Sequence, residues 1–133
     1  MIGGKVGNMA LFLAQLAHNE SRLKHAAQKR AEEEAQRAVD EMQARVPEQS
    51  GTARESIRWE PRPEGGARVL AGGPETTKAD YDYIRALEYG RAPTGSEDSH
   101  GQRPQPFFRP VEEETRRHGA NRIGRGLADD MKD

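Results

Sequence analysis

The chain has 133 residues with 21 Lys and Arg against 22 Asp and Glu, a formal net charge of -1, and no cysteine. One domain is the default for this length; the missing cysteines exclude disulfides, thiolate metal sites and cysteine nucleophiles. Only 5 Val, 4 Ile, 7 Leu and 3 Phe are present, 19 in all. That is about 14% and falls below the ~20% that separates folded chains from disordered ones, but the near-zero net charge argues against a self-repelling coil. A long helix with a small core, completed by partner subunits, fits this composition. No run approaches the ~20 apolar residues of a membrane span.

Residues 1–7 carry three glycines and read as a flexible arm. Residues 9–17 follow Lys5 and faintly resemble a signal peptide, but the run is short, interrupted by Gln15, and has no small-x-small cleavage site, so a helix start is expected. Asn8 suits an N-cap, and no residue from Met9 to Val46 breaks a helix. Leu16, Leu23, Ala27, Ala31, Ala38, Met42 and Val46 fall on or near one stripe, giving an amphipathic scaffold helix over 8–46, with a break considered near His18-Asn19. A coiled-coil pair is less favoured, because alanine stands where leucine is wanted. Glu33 and Arg37 are spaced for an i,i+4 pair. Pro47 ends the helix.

Ser50-Gly51 marks a turn. Residues 52–60 can begin with a helical turn and then extend as a strand through 56–60, ending at Pro61; Glu64-Gly65-Gly66 turns the chain, and Ala67–Ala71 returns, which makes a hairpin. Asp80 through Tyr89 is ambiguous, since Tyr83, Ile84 and Leu87 suit a helix while Tyr83, Arg85, Leu87 and Tyr89 suit alternation. A short helix or turn near 81–83 running into a strand at 86–89 is the favoured reading. Residues 91–105 form a polar loop with no apolar anchor. Pro110 suits the first turn of a last helix, where Glu112, Glu113 and Glu114 complement the helix dipole; that helix is expected to reach about Gly119 and to resume weakly after it. The whole reads as α+β: residues 1–133 form a single domain in which a small antiparallel sheet (52–90) is packed by the helix at 8–46 and a helical tail at 106–133.

No catalytic constellation stands out. His18, His25, His100 and His118 are scattered without zinc spacing. The glycine pairs lack the Gly-Lys-Ser/Thr ending of a phosphate loop, and the Glu32–Glu34 and Glu112–Glu114 runs read as solvated helix faces. No enzyme activity, cofactor or metal is expected. The late arginines 103, 109, 116, 117, 122 and 125 admit phosphate binding, but interleaved acids favour salt bridges between subunits. Five of the six Tyr and Phe residues lie in two blocks, 81–90 and 105–110. Ordinary core packing accounts for part of this; a protein interface, where Tyr, Phe and Arg concentrate, accounts for the rest. The candidate interface residues are Tyr81, Tyr83, Glu88, Tyr89, Gly90, Arg103, Phe107, Phe108 and Arg109.

Three segments carry a family resemblance. Pro47, Ser50, Gly51, Ala53, Arg54, Ser56 and Ile57 follow the long helix. Tyr83, Leu87, Glu88, Tyr89 and Gly90 follow the hairpin. Pro106-Phe107-Phe108-Arg109-Pro110 precedes the last helix. This order resembles the head–tail joining, or tail-completion, family of long-tailed bacteriophages over roughly residues 9–120, departing from it in a longer loop at 91–105 and a longer glycine-bearing tail. The resemblance implies a structural virion protein of the neck or upper tail, assembled in the host cytoplasm. It implies a ring, usually sixfold, that contacts neighbouring neck and tail proteins and encloses an axial channel through which DNA passes without sequence-specific binding or any membrane. A nucleic-acid-binding module or a phage regulatory protein is the alternative.

Overall fold

The computed structural model describes residues 2–47, 51–78, 81–91, 101 and 103–132, with side chains described from residue 9. The architecture is α+β. The first helix, α1 (Ile2–Arg45), has 44 residues, a length of roughly 66 Å at 1.5 Å per residue. It starts before Asn8, which is therefore not its cap, and runs unbroken past His18-Asn19. Gly3, Gly4 and Gly7 weaken helix propensity without blocking it, and a helix already nucleated extends at little further cost. It closes with the Val46 amide donating to the Met42 carbonyl at 2.9 Å, just before Pro47, where the sequence places the stop.

A short helix α2 (Gly51–Glu55) leads to the hairpin of β1 (Arg58–Pro61) and β2 (Ala67–Leu70), paired antiparallel from Arg58↔Leu70 to Pro61↔Ala67. The strand begins two residues later than expected because Ser56 closes the α2 turn, its amide donating to Thr52 and its hydroxyl to Ala53. Helix α1 holds the hairpin at two points. Gln28 exchanges hydrogen bonds with the Gly66 backbone (3.0 and 2.7 Å), and the Trp59 indole donates to Gln36 (2.8 Å).

After a 3₁₀ turn at Pro74–Thr76, β3 (Thr77–Lys78) pairs with β4 (Tyr81–Asp82) as a second two-stranded sheet. Helix α3 (Tyr83–Tyr89) follows. The favoured order of turn then strand is thus reversed. The Asp82 carboxylate accepts the Ile84 amide at 3.0 Å and caps α3, while Ile84, Ala86 and Leu87 are buried together, so the helical period prevails over alternation.

The last helix, α4 (Arg109–Asp130), carries Pro110 in its first turn as expected but continues through Gly119, Gly124 and Gly126. Its packing against α1 explains this: two of the glycines face side chains of α1 at close range. A Cβ on Gly126 would lie 2.6 Å from Arg30 Nε, and one on Gly119 would lie 3.3 Å from Glu34 Oε1.

The core gathers Ala38, Val39, Met42 and Val46 of α1 with Ala53, Ile57, Ile84, Leu87, Phe107 and Val111. It occupies one end of α1. The stripe read from the sequence is therefore used only in part, since Ala38, Met42 and Val46 are buried while Leu16 and Leu23 are exposed.

Candidate functional site

The two aromatic blocks meet at one corner. Helix α3 ends when the Gly90 amide donates to the Ala86 carbonyl at 2.8 Å. Gly90 has φ 78° and ψ 177°, a region of backbone space open essentially only to glycine. The chain leaves a helix here, and any side chain at this position would be strained. The returning chain is caught by the Gln105 amide, which donates to the Leu87 carbonyl at 2.7 Å.

Glu88 closes the corner. It is 7% exposed, and its carboxylate accepts three successive backbone amides: Phe107 at 3.0 Å, Phe108 at 3.0 Å and Arg109 at 2.7 Å. The first amides of a helix have no partner within it, and the partial positive charge there favours an anion. Pro110 brings no N–H of its own. A carboxylate from one helix therefore caps the next across about twenty residues of sequence.

Around this anchor Phe107 is fully buried and Phe108 half-buried, their rings edge to face at 6.5 Å. Tyr89 is 60% exposed, and Arg109 and Arg103 are exposed. A groove of about 330 Å³ runs between Tyr89, Pro104, Pro106, Arg109 and Glu113. The corner thus unites Glu88, Tyr89, Gly90, Phe107, Phe108 and Arg109 of the expected set. Tyr83 packs against the core instead. Tyr81 stands exposed on β4 with the Arg91 guanidinium 5.0 Å from its ring centroid. Residues 92–100 and 102 of the expected loop, and Ser50 of the expected turn, lie outside the described residues.

A second cluster joins α1 to α4 and escaped sequence reasoning. Arg37 donates to Glu34 (2.9 Å), Glu41 (2.8 Å), Glu114 (2.9 Å) and Thr115 (3.0 Å). Arg122 donates to Glu34 and, at 2.6 Å, to Glu114. Farther along, Arg30 grips Asp130 with two bonds of 2.8 and 2.7 Å. The expected Glu33–Arg37 pair is replaced by Glu33 with Arg30 and by Arg37 with Glu34 and Glu41. Arg122, one of the late basic residues, is engaged within its own chain.

These contacts set the charge states. Burial pushes the Glu34 carboxyl up, but hydrogen bonds from Arg122 and Arg37 outweigh it and hold the group below its ordinary range. Hydrogen bonding from Arg122 lowers Glu114, and that from Arg30 lowers Asp130. The run lengths of acid and base were visible in sequence; that Glu34 meets Arg122 was not, for nothing local links positions 88 apart.

Among the described residues no group of three or more His, Cys, Asp or Glu is placed to hold a metal ion, and no helix is long and apolar enough to cross a membrane. Comparison with protein-family models, with curated proteins and with solved structures finds no match to this chain.

Proposed function

We propose that the chain is a structural protein of a bacteriophage neck or upper tail, forming a ring that joins the DNA-filled head to the tail around an axial channel. The observation that carries this reading is the Glu88 carboxylate on the amides of Phe107, Phe108 and Arg109. Two of the three segments that resemble the head–tail joining family are thereby joined in one physical unit, which supports reading them together. The unit holds itself rigid from within and turns Tyr89, Arg103 and Arg109 outward, residue types enriched where proteins meet. Neighbouring neck and tail proteins are the partners this surface suits. DNA would pass the channel without sequence-specific contact.

The alternative of a nucleic-acid-binding module draws less support. It needs a contiguous basic face, yet Arg30, Arg37 and Arg122 are engaged with acids of their own chain, and Arg116 pairs with Glu112.

Genetic complementation tests the proposal. Without this chain, filled heads and free tails should accumulate unjoined. The wild-type gene should restore joined particles, and Tyr89→Asp, on an exposed side chain, should fold but restore few. Normal joining in the absence of the chain would refute the reading.

A further inference from the structure

The core leaves the N-terminal half of α1 uncovered. Helix α4 ends at Asp130, whose carbonyl accepts from Arg22 at 3.1 Å, so the roughly 20 residues of α1 before Arg22 extend past α4 by about 30 Å. On this arm Met9, Leu11, Phe12, Leu13 and Leu16 are each at least half exposed, and Leu23 is 44% exposed. Met9, Phe12, Leu13 and Leu16 form one stripe at i, i+3, i+4, i+7, continuous with the α1 face that packs the rest of the molecule. Leu11 lies off that stripe, with Ala14 one turn on, while Ala10 and Ala17 fill the arc between Ala14 and Leu13; all are exposed. At 100° per residue the centre of the Leu11–Ala14 face lies roughly 180° from that of the stripe.

We propose that the arms of several copies of this chain bundle together, the Met9–Phe12–Leu13–Leu16 stripe of one arm packing on the Leu11–Ala14 face of the next. The inference rests on the ring reading above and deepens it by naming the surface through which copies meet.

Three features favour a second copy as the occupant. From Val6 through Asn19 the arm has no Asp, Glu, Lys or Arg, so identical arms can lie side by side without opposing like charges. A helix with one apolar stripe pairs once, whereas a helix with two touches two neighbours, and such a head-to-tail contact forms a ring when the rotation between copies closes. Alanines on the receiving face let the larger side chains of the stripe approach closely. A lipid surface fits less well, because a helix lying on a membrane needs a polar face rich in Lys or Arg.

The test uses the full chain in sedimentation velocity and native mass spectrometry, comparing wild type with L16E and L11E and using L16M and L11M as controls. Wild type should assemble beyond a dimer. Each Glu substitution should weaken assembly by on the order of tenfold or more, the Met controls should not, and the thermal melting of the core should stay unchanged in all. If L16E disrupts assembly while L11E does not, and wild type stops at a dimer, the arms form a simple pair and the two-faced bundle is wrong. A wild-type ring that survives both Glu substitutions overturns this inference alone and leaves the ring reading standing. A wild-type chain that stays monomeric at high concentration overturns both. Cosedimentation of that monomer with phosphatidylcholine–phosphatidylglycerol vesicles would assign the arm to lipid.

Discussion

Removing the Glu88 carboxylate should be among the costliest single changes at the corner. Its two oxygens satisfy three backbone amides at 2.7–3.0 Å in a site 7% exposed. A hydrogen bond to a charged group contributes about 1.5–3 kcal/mol, and a buried donor left without a partner costs about 1–3 kcal/mol. The three bonds share one charge and do not add, so Glu88→Ala should lose about 4 kcal/mol in all. Glu88→Gln is the sharper probe. Its amide oxygen can keep Phe107 and Phe108, but its NH₂ then faces the Arg109 amide, donor against donor. That variant should lose about 2 kcal/mol, one charge-assisted bond. Urea denaturation followed by circular dichroism gives both values, with Tyr89→Ala as a neighbouring control that should fall within ~0.5 kcal/mol of wild type. If Glu88→Ala matches the Tyr89 control, the carboxylate does not hold the two blocks together and the corner is maintained by packing of Phe107 alone.

Gly90→Val should destabilise by about 1–3 kcal/mol, because φ 78° with ψ 177° strains any side chain; a neutral result in the same denaturation assay contradicts the described turn. Gly124→Ala should stabilise by about 0.5–1 kcal/mol, since a Cβ there meets nothing within 4 Å and alanine is the better helix former. The same change at Gly126 should forfeit that gain, because the new Cβ displaces Arg30 from Asp130; equal melting-temperature shifts for the two variants would contradict the close helix approach. Acid should loosen the α1–α4 clamp. The carboxyls of Glu34, Glu114 and Asp130 are lowered in the folded state, so their stabilisation is complete above the unfolded values near ~4 and is lost as pH falls through the folded ones. Melting temperature should be flat from neutral pH to about 5 and fall below about 4, with a shallower acid slope in Glu34→Gln; identical slopes would remove the clamp from the account.

The parts of this protein that sequence alone determined are those ruled by the backbone of one or a few residues. Pro47 ends α1 because proline disfavours helical geometry in the residue before it. Two glycines at 65–66 turn the hairpin, and Pro110 opens α4. Where local preferences are nearly balanced, the tertiary structure decided. Residues 83–89 carry both a helical and an alternating pattern, and burial of Ile84 and Leu87 with the Asp82 cap selected the helix. Local propensity would end α4 near Gly119, but α1 packs close against Gly119 and Gly126 and the helix continues. From sequence Glu88 reads as an interface residue, and Glu34 and Glu114 as solvated acids of helix faces. Only folding brings Phe107 and Arg122 to them, 19 and 88 positions away, because the energy of a buried charge depends on the donors that surround it in space and not on its neighbours along the chain.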